Sequence, residues 1–86
     1  MEIVILDSAY KHDVTEESIK FCLLHFRNDI LISDTPLKRL FVGFDHLGTA
    51  LEIIAIEDED VDRLYVIHAM KITKQYYFLL EKGGAV

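Results

Sequence analysis

Cysteine is nearly missing from this 86-residue chain, in which Cys22 stands alone. An internal disulfide and a thiolate-rich zinc site are thereby excluded. Proline is equally scarce, and Pro36 falls in the turn signal Asp34-Thr35-Pro36. The few glycines build no phosphate-cradling loop. Gly43 interrupts an apolar run and Gly48 closes Asp45-His46-Leu47-Gly48, so a strand irregularity and a tight turn account for them. No apolar run reaches the roughly 18 residues of a membrane helix. No signal-like segment opens the chain, so a reducing cytoplasmic setting is expected. Cations are in deficit, nine Lys and Arg against fifteen Asp and Glu for a net charge of −6. Non-specific binding of nucleic acid by the whole surface is therefore excluded, and only a local basic site is left open.

Apolar side chains, in contrast, are plentiful at 51%. A chain this short folds as one domain, residues 1–86, and buries only about 60–65% of its unfolded surface. Part of the apolar surplus is expected to stay exposed and to meet a partner protein or a further copy of the chain.

Glu2 to Leu6 is a short β-branched run that predicts a strand. Asp7-Ser8 caps a short helical turn reaching Lys11-His12. Asp13-Val14-Thr15-Glu16-Glu17 places a cap and first-turn acids before a helix whose stripe is Ile19, Cys22, Leu23 and Phe26, with Arg27-Asn28 at its end. Strands are expected at Ile30 to Ser33, Leu40 to Phe44, Ala50 to Ile56 and Leu64 to His68. Ala50 to Ile56 is apolar on both faces except at Glu52, which predicts a central strand. A closing helix is expected over Ala69 to Lys82, stopped by Gly83-Gly84. The order strand, helix, four strands, helix defines an α+β domain with helices packed on a mainly antiparallel sheet.

The run Arg63 to Lys71 reads as a strand passing directly into that helix, which gathers cations, His68 and phenols at one corner of an acidic domain. His68 ends an apolar strand. It is either satisfied by a backbone carbonyl or a general acid or base, the role suited to a side chain that exchanges protons near neutral pH. His12, His25 and His46 have no metal-ligand spacing among themselves or with His68, and no metal or cofactor is expected. Asp58-x-Asp60-x-Asp62 starts like a calcium loop, but Arg63 and Ala69 occupy its glycine and glutamate positions, so a solvated hairpin tip is expected. Cys22 lies on the apolar stripe as an inert thiol. Lys11, Lys38-Arg39 and Lys71 with Lys74 are the dense cations. Folded together they would hold a phosphodiester backbone while Tyr65 or Tyr76 stacks a base.

Two segments resemble a known family. Lys11-His12-Asp13-Val14-Thr15-Glu16-Glu17 is similar to the Lys-His-Gly-Val-Ser/Thr-x-Glu motif of BrnT-type toxins. These are small ribonucleases of the RelE-like superfamily, paired with ribbon-helix-helix antitoxins. Leu64 to Ile72 corresponds to their Ile-Arg-Ile-Ile-Ser-Ala-Arg-Lys-Ala pattern. Lys11, His12 and Lys71 carry over directly. Asp13 stands for the family glycine, Tyr65 and Met70 for two arginines, and His68 for a serine.

The resemblance implies a RelE-like fold over the whole chain and a metal-independent endoribonuclease acting on mRNA by 2′-hydroxyl attack. It also implies an antitoxin partner. In this reading His68, with His12 as the alternative, moves protons and Lys71 holds the phosphate. Lys11, Lys38, Arg39 and Lys74 support the RNA, and Tyr65 stacks a base. A non-catalytic protein-interaction module of the same fold is the rival, favoured by the acidic balance and the missing arginines. A structural dimer is a third reading.

Overall fold

β4 (Ala50–Asp58) is the middle strand of a five-stranded sheet, the position that its two-sided apolar pattern requires. The computed structural model describes residues 1–82. The other strands are β1 (Glu2–Ile5), β2 (Asn28–Asp34), β3 (Leu37–Phe44) and β5 (Arg63–Lys71), in the spatial order β1-β5-β4-β3-β2. β2 through β5 pair antiparallel with their sequence neighbours, whereas β1 lies parallel to β5, so the sheet is mixed. α1 (Glu16–Leu24) and α2 (Tyr77–Lys82) complete an α+β domain.

Both faces of the sheet are covered. Ile53 packs with Ile19, Cys22 and Leu23 of α1, while its neighbour Ile54 packs with Leu79 and Leu80 of α2. Alternation along the strand sends adjacent residues to opposite faces, so β4 contributes to both cores. The α1-side core also takes Phe41, Leu51, Leu64, Val66 and Ala69; Leu40 and Val42 lie in the α2-side core.

α1 begins where its cap predicts: the Thr15 hydroxyl oxygen accepts from the Ser18 backbone N–H at 3.1 Å, with Glu16 and Glu17 in the first turn. It ends earlier than the stripe suggests. Phe26 lies outside the helix and is 41% exposed, its ring meeting Phe41 edge-on at 5.0 Å. The chain here is pulled into the sheet, with Arg27 N–H donating to the Val42 carbonyl at 2.8 Å. That close pass explains Gly43. A Cβ there would stand 3.0 Å from the Phe26 Cα and 3.3 Å from the Cys22 sulfur.

The largest departure is at the end of the chain. Ala69, Met70 and Lys71 were expected to open a helix, but they continue β5 opposite Ile53, Glu52 and Leu51. Ile72 N–H adds a further bond to the Ala50 carbonyl at 3.0 Å. A β4 partner strand long enough to pair with them overrides the helical preference of Ala, Met and Lys. A 3₁₀ turn (Lys74–Tyr76) and the short α2 follow. The Gly83-Gly84 stop signal lies outside the described residues.

Candidate active site

The site forms where a bulge in β5 meets the turn after β1. Val66 pairs with Ala55 and His68 with Ile54, so Ile67 is an extra residue in β5. Val66 and Ala69 lie in the α1-side core. His68 stands beside Ile54 and so faces the α2 side. Its Nε2 lies 3.2 Å from Oε2 of Glu52. The partner of His68 is thus a carboxylate and not the backbone carbonyl considered from sequence.

Glu52 is the residue that sequence reasoning passed over. It is only 4% exposed, in the middle of the sheet. Its Oε1 accepts from both the backbone N–H and the hydroxyl of Thr73, each at 2.8 Å. A carboxylate so deeply buried requires such partners. Its one signal in the sequence was to be the single polar residue of an apolar strand. The arrangement fixes the His68 ring between a buried acid and open water, with the side chain 27% exposed.

His12 completes the cluster. A 3₁₀ turn (Asp7–Tyr10) continues β1 along the free edge of β5. It is stitched to the bulge by the Ser8 hydroxyl, which donates to the Ile67 carbonyl at 2.7 Å. The chain then reverses at Asp13, whose φ is 62°. This left-handed conformation favours glycine and tolerates Asp. The resembling motif has glycine at this position. The reversal brings the His12 ring edge-on to His68, with centroids 5.6 Å apart.

The other expected site residues divide between the two faces. Lys38 pairs with Ile56 and Ile56 with Tyr65, so Lys38 and Tyr65 share the α2 side with His68. Arg63, not expected in the site, joins them: its guanidinium donates to the Tyr65 hydroxyl at 3.1 Å and to Glu2 at 2.7 Å. Lys11 is exposed and adjacent to His12, and Lys74 is exposed one residue past Thr73. Lys71 differs from expectation. It stands opposite Leu51 of the α1-side core, on the face away from His68. The strand-to-helix corner that was to join them does not form. Arg39 is also elsewhere, held by Asp29 at 3.0 Å and Glu57 at 3.9 Å in a separate cleft.

Lys71 lines a cleft of about 400 Å³ on the α1 side, together with His12, Asp13, Thr15, Thr49 and Leu51. His12 is therefore common to this cleft and to the imidazole pair. Asp45 braces the cleft from beneath. Its Oδ1 accepts from the backbone of Leu47 at 2.9 Å and Thr49 at 2.8 Å, and its Oδ2 from the Ser18 hydroxyl at 2.8 Å. Burial pushes the Asp45 carboxyl up, but these bonds outweigh it and hold the group below its ordinary value. Burial pushes the Cys22 thiol up to about 12, which marks it as inert.

Among the described residues no group of three or more His, Cys, Asp or Glu side chains is arranged to hold a metal ion. No helix among them is long and apolar enough to cross a membrane. No family model, no curated protein and no solved structure matches this chain.

Proposed function

We propose that the chain is a toxin-like, RNA-cleaving component of a bacterial toxin–antitoxin pair, of RelE-like ancestry and acting in the cytoplasm on mRNA. The observation that carries this reading is the pair of imidazoles at one sheet edge, His68 held by buried Glu52 and His12 beside it. A histidine oriented by a carboxylate is the arrangement that general-base chemistry uses. His68 takes the proton of the ribose 2′-hydroxyl as its oxygen bonds to phosphorus. The bond from phosphorus to the 5′-oxygen breaks, and His12 delivers a proton to that oxygen. The products are a 2′,3′-cyclic phosphate and a free 5′-hydroxyl, with no metal in the step. Lys11 and Lys74 supply charge for the phosphate, while Tyr65, with Arg63 and Lys38 on the same face, carries the neighbouring nucleotides. The left-handed backbone at Asp13 supports the resemblance, because the motif's glycine suits that conformation.

A second reading, a non-catalytic interaction module, draws on a different observation. β2 is an edge strand with Ile30, Leu31 and Ile32 exposed in succession. Such an edge invites an added strand. An antitoxin docking there is compatible with both readings.

Induced expression in bacteria, with growth and RNA fragment ends as readouts, tests the proposal. The wild type is expected to arrest growth and to leave cyclic-phosphate ends. His68→Ala and His12→Ala are each expected to lower cleavage by about 10²–10⁴-fold. Full toxicity in both variants would assign the activity elsewhere. A wild type that neither cleaves RNA nor slows growth would leave the interaction module.

A further inference from the structure

We infer that the cleft on the α1 side of the sheet is a guanine-nucleotide subsite, which reads the base next to the bond to be cut. This rests on the ribonuclease reading for its place in the reaction, but the binding itself stands on the cleft alone.

Two charged side chains with no hydrogen-bond or ion-pair partner among the described residues, Asp13 and Lys71, line this cleft together with His12. Asp13 and Lys71 are opposite in charge and share the cleft, yet they form no ion pair with each other. An acceptor and a donor thus face a common space of about 400 Å³, a volume within the range of small-ligand sites. Val14 and Leu51, both of the buried core, add apolar side chains to the same lining. Asp45 does not compete for the ligand, because both its oxygens are already bonded.

The base follows from the chemistry of the acceptor. An ionised carboxylate only accepts hydrogen bonds. Guanine alone among the RNA bases offers two adjacent donors, N1–H and N2–H, on its pairing edge. Adenine, cytosine and uracil each place an acceptor beside the donor, which a carboxylate repels. A lysine lining the same cleft suits the same base, since guanine O6 and N7 are both acceptors. Because His12 belongs to the cleft and touches His68, a base seated there brings its ribose phosphate to the imidazole pair.

The test is titration of the full chain with guanosine 3′-monophosphate, followed by amide NMR shifts, alongside the adenosine, cytidine and uridine 3′-monophosphates. The guanine nucleotide is expected to shift the signals of Asp13, Thr49 and Leu51 and to bind about tenfold or more tightly than the other three. Asp13→Asn keeps the side-chain shape and tolerates the left-handed backbone, and it is expected to erase that preference. Lys71→Ala is expected to weaken all four nucleotides, with a smaller effect at high salt. Equal binding of the four nucleotides, shifts confined to other residues, or an unchanged preference in Asp13→Asn would overturn the subsite. Guanine binding without RNA cleavage would keep the subsite and remove the ribonuclease reading. Cleavage with no response in the cleft would do the opposite.

Discussion

Glu52 and Thr73 are joined twice, the backbone N–H and the hydroxyl of Thr73 both reaching one carboxylate oxygen at 2.8 Å. These two hydrogen bonds, accepted by a buried carboxylate, tie the centre of the sheet to the segment that follows β5. It also leaves the second oxygen for His68 at 3.2 Å. Glu52→Ala is expected to lose about 1–3 kcal/mol, because the Thr73 groups lose their acceptor. Glu52→Gln retains an acceptor for Thr73 and is expected to lose less, while cleavage falls because the carboxylate beside His68 is gone. Urea midpoints and cleavage rates on the two variants check this. A midpoint unchanged in Glu52→Ala would show that water replaces the carboxylate at no cost.

Phe26 and Ile19 were both expected on one buried helical stripe, and they separate in the structure. Ile19 is fully buried, whereas Phe26 is 41% exposed. Ile19→Ala is expected to cost about 2–5 kcal/mol. Phe26→Ala is expected to cost less than that, since the ring is 41% exposed; it loses the edge-on contact with Phe41, worth about 0.5–1.5 kcal/mol beyond the area that the ring buries. Chemical-denaturation midpoints measured side by side test the order.

Much of this fold was legible because local pattern and tertiary need agreed. The two-sided apolar run at Ala50 to Ile56 required a central strand, and Thr15 with Glu16 and Glu17 required a helix start. The end of β5 was not legible. Ala69-Met70-Lys71 suits a helix locally, and only the presence of Leu51, Glu52 and Ile53 across the ladder makes it a strand. His68 and His12 were picked out by residue type. Their meeting depends on the turn reversing at Asp13, and the role of Glu52 depends on what lies above it, neither of which a linear pattern records.

Gly43→Ala is expected to destabilise by about 1–3 kcal/mol, because the added methyl would press on the Phe26 backbone and the Cys22 sulfur. Gly48→Ala meets no such crowding, since open space surrounds that position, but its φ of 84° strains any side chain. Both variants should therefore lose stability. Only Gly43→Ala should disturb the NMR signals of α1.

Cys22 adds a pH dependence. Its thiol is pushed up to about 12 in the folded chain, against about 8.5 in an unfolded one. The raised group contributes stability that is complete below the unfolded value. That contribution is lost as pH rises from there towards the folded value, because the unfolded chain then holds fewer protons. Stability attributed to this group should fall between about pH 8.5 and 12, and Cys22→Ala should flatten that part of the curve. A slope that persists in Cys22→Ala would assign it to other groups.

The extra residue at Ile67 acts as a phase shift. A strand is a wave with a period of two, and one residue left out of the ladder moves everything after it by half a cycle. Straighten the strand with Ile67 kept and paired to Ile54, and the same letters from His68 onward would present the opposite surface. The imidazole would turn towards α1, where Val66 lies, and lose its carboxylate, and Ala69 would take its place facing α2. Delete Ile67 instead, and His68 follows Val66 directly and keeps its place opposite Ile54. A relative one letter shorter here would thus keep the candidate chemistry on the same side, whereas one of equal length with a straight strand would turn it over.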